Sequence, residues 1–110
     1  MHERRRQTSI TMVERATLDE LESATKYPVF TDNPRTVRVD LDPGETVEEH
    51  DHPGTDIVFH VLEGAMELRL DDERYDLSGG DILQFDGERT VAGEADESTT
   101  VVVVLAQRPE

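Results

Sequence analysis

PGETVEEHDHPGTDIVFHVLEG, residues 43–64, sets two histidines one residue apart between two glycine turns. In a β-strand successive side chains point to opposite faces, so His50 and His52 project from one face and can aim two imidazole nitrogens at a single point. Gly44 stands six residues before His50, Pro53 follows His52 directly, and Val61-Leu62-Glu63-Gly64 closes the unit.

The flanking sequence is built from the same short-strand pattern. Val37, Val39 and Leu41 alternate with Arg38, Asp40 and Asp42, and Met66, Leu68 and Leu70 alternate with Glu67 and Arg69, each the period of a half-buried strand. Asp42-Pro43-Gly44, Pro53-Gly54, Glu63-Gly64, Asp71-Asp72, Gly79-Gly80 and Asp86-Gly87 interrupt the strands, and turns spaced by about ten residues predict an all-β antiparallel sandwich or barrel. The final strand, residues 99–106, is apolar on both faces, which places it at the centre of the packing or under a partner subunit and predicts a homodimer. Before the strands, Thr17 and Glu20 have the spacing of a capping box, with Leu18 and Leu21 behind them, so one short N-terminal helix through Ser23 is expected. Residues 1–11, polar, basic and without periodicity, read as a disordered leader to a single domain over residues 12–110.

Composition narrows the function classes. A chain of 110 residues supports one modest core and no second catalytic domain. The absence of cysteine excludes disulfides, thiolate ligands and a cysteine nucleophile. The longest apolar run, residues 101–106, falls far short of the roughly 20 residues that span a bilayer, so neither a membrane partner nor a membrane location is expected and the default is cytoplasmic. Acidic side chains number 26 against 11 basic, a net charge of −15, and Lys26 is the sole lysine. Such a surface repels phosphate backbones and argues against a nucleic-acid partner. Arg4-Arg5-Arg6 reads as a solvated cluster in the leader. An acidic, lysine-poor surface is similar to that of halophilic proteins, whose self-repulsion is relieved once the Debye length falls to about 3 Å at 1 M salt. An ordinary acidic protein is the alternative.

Taken together, the glycines and histidines of residues 43–64 resemble the first motif of the cupin superfamily, small jelly-roll β-barrels that often carry a metal in the barrel mouth. Gly80-Asp81-Ile82-Leu83-Gln84-Phe85 resembles the opening of the second cupin motif. The resemblance spans residues 27–106 and implies a small antiparallel cupin-like barrel. It departs from the family at the chemistry: the glutamate of metal-binding cupins is replaced by Ile57, the proline of the second motif is missing at Asp86-Gly87, and its histidine falls at Thr90-Val91. Of the family's ligands, His50 and His52 remain.

Two imidazoles hold a divalent metal weakly, and functional sites usually recruit a third protein ligand, often a carboxylate. Glu48 lies two residues before His50 and shares its face if the strand is regular. Asp56 and His60 share a face with each other, but Pro53-Gly54 resets the parity and leaves two registers. In one, Ile57, Phe59 and Val61 point inward; in the other, Asp56, Val58 and His60 do. Hydrophobic burial favours the first, whereas a bound metal could reverse the balance for Asp56. The resemblance puts His60 where many cupins have tyrosine, with an interface or surface role.

The expectation is therefore a cupin-domain protein that binds a small molecule in its barrel. His50 and His52, with a carboxylate from Glu48 or Asp56, or with His60, would hold a divalent Fe, Mn, Ni or Zn ion. If the protein is an enzyme, the resemblance implies a metal-dependent oxygenase or isomerase. The competing expectation is a metal-free binding or regulatory module. Ser-His-Asp catalysis has no supporting constellation, and Gly79-Gly80-Asp81 leads into no helix that could cradle a phosphate.

Overall fold

A computed structural model of the chain describes residues 13–20 and 26–109. Nine strands follow one another along it: β1 (Lys26–Phe30), β2 (Arg35–Leu41), β3 (Thr46–His50), β4 (Thr55–Glu63), β5 (Ala65–Leu70), β6 (Glu73–Ser78), β7 (Ile82–Asp86), β8 (Val91–Ala95) and β9 (Thr99–Gln107). They form two antiparallel sheets, one ordered β1-β2-β9-β4-β7 and the other β3-β8-β5-β6. The architecture is the antiparallel sandwich or barrel that the alternation and turn spacing predict, in the small cupin-like jelly-roll form that the resemblance implies. No helix among the described residues is long and apolar enough to cross a membrane.

The N-terminal helix is a correction to the expected fold. Among the described residues it is a three-residue 3-10 turn, Leu18–Glu20, closed by the Glu20 N–H donating to the Thr17 carbonyl at 3.0 Å. None of its residues is buried. Residues 21–25, where that helix would continue, lie outside the described residues, as does the leader over residues 1–11. The turn is tied to the barrel by Arg38, whose guanidinium donates to the Leu18 carbonyl.

The core lies between the two sheets. Ile57, Phe59 and Val61 of β4 are buried, facing Met66, Leu68 and Leu70 of β5, each worth about 1.5–3 kcal/mol when removed from water. This is the first of the two registers: β4 turns Ile57, Phe59 and Val61 inward, and Asp56, Val58 and His60 to the outer side. Strand β9 sits centrally between β2 and β4, which explains the apolar residues on its inner face.

The β4–β5 corner shows how backbone geometry fixes the register. Gly64 has φ +99°, and a Cβ there would lie 2.2 Å from the Ser98 carbonyl oxygen. Only glycine lets the corner pass so close to the start of β9. Thr99, a buried polar residue beside it, is satisfied locally. Its hydroxyl lies 2.8 Å from the Glu97 carbonyl and 3.0 Å from that of Ala65, and accepts from the Ala65 N–H at 3.2 Å.

Candidate functional site

A cavity of about 190 Å³ opens between the sheets. Its floor is apolar, formed by inward residues of the five-stranded sheet such as Val37, Ile57, Phe59 and Val103. Val47, His50 and Val91 close it from the other sheet, and His52 reaches it from the β3–β4 loop. The two imidazoles meet edge to face, with ring centroids 4.9 Å apart at an interplanar angle of 86°.

A bulge in β3 sets the direction of His50. Along the β3–β8 pair, Val47 is opposite Gly93 and His50 is opposite Val91. Glu48 and Glu49 therefore stand against the single residue Ala92, and the extra residue shifts the side-chain parity by one. Val47 and His50 consequently both line the cavity. Glu48 and Glu49 instead lie along an outer groove with Glu67, Arg69 and Arg74. The His50 Nδ1 lies 2.7 Å from the Glu48 carbonyl oxygen. A carbonyl can only accept, so Nδ1 carries the proton and, in the neutral ring, Nε2 keeps its lone pair.

The loop bearing His52 is fastened by its backbone. The His52 N–H donates to the Gly87 carbonyl at 2.7 Å, and the Gly87 N–H donates to the Thr55 carbonyl at 2.8 Å. Thr55 Oγ1 donates to the His52 carbonyl at 2.6 Å. Burial pushes the His52 imidazole below its ordinary pKa of 6.5, and repulsion from His50, Lys26 and Arg35 adds to that effect against a weaker opposing pull from Asp51. The ring is therefore mainly neutral at neutral pH.

The other anticipated ligands are placed elsewhere. Asp56 accepts from Arg108 Nε at 3.0 Å, in a cluster where Arg108 also reaches Asp86 at 2.6 Å. His60 is on the outer side of β4, opposite Ile82 on one neighbour and Val102 on the other. The equal parity of Glu48 and His50 fails because of the bulge. Among the described residues no three His, Cys, Asp or Glu side chains converge as a metal-binding group. Ile57 and Val91 both line the cavity with His50 and His52, so aliphatic side chains stand where the resemblance puts a glutamate and the vicinity of a histidine.

Sequence reasoning missed two cavity residues, Lys26 and Arg35. Arg35 continues the inward phase of Val37, Val39 and Leu41, a signal legible in the alternation itself. Lys26 is opposite Val39 across the β1–β2 ladder, a pairing that becomes known only with the fold.

The family model of the Cupin domain matches residues 37–106. KdgF from Halomonas sp. is a similar solved structure, 25% identical, covering 77% of this chain and 79% of its own, with a TM-score of 0.68. TT1209 from Thermus thermophilus is 26% identical, covering 88% of this chain and 100% of its own, with a TM-score of 0.74. The cupin domain of Cnp3 from Schizosaccharomyces pombe is similar in fold alone, at 11% identity, 83% and 72% coverage and a TM-score of 0.74. No curated protein matches.

Proposed function

The chain belongs to the cupin domain family, and from that premise we propose that its barrel cavity binds a small molecule with His50 and His52 as polar anchors and without a resident metal. The observation that carries this reading is the composition of the wall among the described residues: an apolar floor, two imidazoles and no third metal-ligating side chain. The divalent ion that the family resemblance implies does not fit this set. Two imidazoles fall short of the usual three protein ligands, and the positive charges of Lys26 and Arg35 beside them oppose a cation. The protein then acts as a binding or regulatory module.

A second reading, a metal-dependent oxygenase or isomerase, draws on one feature. The Nδ1–H of His50 is engaged by a backbone carbonyl, the contact that orients a metal-ligating imidazole. A His50→Ala/His52→Ala variant tests the role that both readings give the histidines. Binding of small aromatic probes, followed by NMR, is expected to weaken about tenfold with the loss of two polar anchors. Probe affinity that is unchanged in the variant would remove the histidines from the site.

The outer face of the five-stranded sheet supports the homodimer. Val102 and Val104 of β9 and Val58 of β4 are half-buried on it, and Ile82 next to them is 59% exposed. Two copies meeting through this face would form an isologous interface. The acidic, lysine-poor composition supports a cytoplasmic protein adapted to high salt, with no affinity for nucleic acid. The melting temperature is expected to rise by about 10 °C or more between ~0.1 M and ~2 M KCl as carboxylate repulsion is screened. Sizing at the higher salt is expected to give a dimer. A salt-independent melt contradicts the adaptation, and a monomer contradicts the interface.

A further inference from the structure

Charge is distributed against the trend of the chain at this cavity. Acidic side chains outnumber basic ones by 26 to 11, yet among the described residues the wall contains no carboxylate and includes Lys26, Arg35, His50 and His52. The single lysine of the protein is one of its lining residues. Random placement of these charges would surround such a mouth with carboxylates.

Strand parity places the two cations on the inner face of the five-stranded sheet, where both remain exposed to solvent. Arg35 has the same parity on β2 as Val37, Val39 and Leu41, and it stands opposite Leu105, which is itself opposite Ile57. Arg35, Leu105 and Ile57 thus form one row across the inner face of the sheet. Lys26 joins the same face opposite Val39. Among the described residues Arg38, Arg74, Arg89 and Arg108 are each ion-paired, whereas Lys26 and Arg35, like Arg15 and Arg69, form no ion pair with a described residue. Their charge nevertheless reaches the site, because both depress the His52 imidazole.

Resting on the reading of this cavity as a ligand site, we infer that its ligand is a small organic anion, a carboxylate on a compact apolar body, with the charged end at Lys26 and Arg35. The body belongs against Val37, Ile57, Phe59 and Val103. Size sets the class: an apolar cavity of about 150 Å³ admits benzene, and this one, at about 190 Å³, has room for a ring or short branched chain plus a carboxylate. A guanidinium and an ammonium supply the charge-assisted donors that such a group requires.

Benzoate and its neutral isostere benzamide test the inference by NMR titration in about 1 M KCl, where surface repulsion is screened. Benzoate is expected to shift the amides of Val37, Ile57 and Val91 and to bind about tenfold or more tighter than benzamide, the difference made by charge-assisted hydrogen bonds. The Lys26→Gln/Arg35→Gln variant, altered at two exposed positions, is expected to lose that preference while keeping its benzamide affinity. Equal binding of the two probes to the wild type, or an undiminished benzoate preference in the variant, overturns the anion assignment and leaves the cavity as a ligand site. Failure of both probes to bind overturns the ligand site and the anion assignment with it.

Discussion

Replacing Ile57 with glutamate is expected to convert the cavity into a metal site. Ile57 is 2% exposed and lines the same cavity as His50 and His52, so a carboxylate there supplies the third donor that the wild-type wall lacks. Without metal the change is costly. It removes about 1.5–3 kcal/mol of aliphatic burial and places a carboxyl group in an apolar wall, which favours its protonated form. Metal-free Ile57→Glu is therefore expected to melt about 10 °C or more below the wild type. Divalent zinc or manganese would restore stability by mass action, by about 2.7 kcal/mol at a hundredfold excess over Kd. Thermal melts of both proteins with and without metal decide the point. A wild type stabilised by metal as strongly as the variant would show that its own side chains already complete a site.

Gly87→Ala is expected to damage the site through its backbone. A Cβ at Gly87 would lie 2.3 Å from Thr55 Oγ1, 2.4 Å from the His52 carbonyl oxygen and 2.9 Å from the Thr55 carbonyl oxygen. These are the atoms that clamp the β3–β4 loop to the β7–β8 turn, and two of them are backbone atoms that cannot rotate away. Relief requires the two segments to separate, at a cost of about 1–3 kcal/mol or more, and His52 moves with them. A fall in melting temperature of about 10 °C and a roughly tenfold loss of probe affinity are the expected results. A variant with wild-type affinity would show that the position of His52 does not matter for binding.

Much of the fold is legible in the alternation of residues, because burial decides it. Ile57, Phe59 and Val61 turn inward for the reason that makes them apolar, and the histidine at position 60 goes outward with them fixed. Glu48 escaped the same reasoning for a physical cause. A bulge that sets Glu48 and Glu49 against one residue of β8 changes the parity of every later side chain in β3, and two adjacent glutamates give no hydrophobic signal of where it falls. The capping box at Thr17 and Glu20 marks where the N-terminal turn starts, and the described part of it, Leu18–Glu20, is a 3-10 turn without a buried face. Arg35 was readable as a member of the inward phase, but its charge argues for the surface until a cavity is known to lie beneath it. Lys26 depends on a cross-strand pairing that no local pattern encodes.

The central claim is that His50 and His52 anchor a ligand in a cavity that holds no resident metal. Metal content measured on protein purified in high salt, both aerobically and anaerobically, beside the His50→Ala/His52→Ala variant, tests it most directly. The account predicts less than about a tenth of an equivalent of any divalent metal in the wild type, since two imidazoles beside two cationic side chains bind it too weakly to survive purification. Close to one equivalent in the wild type, lost in the double variant, would contradict it.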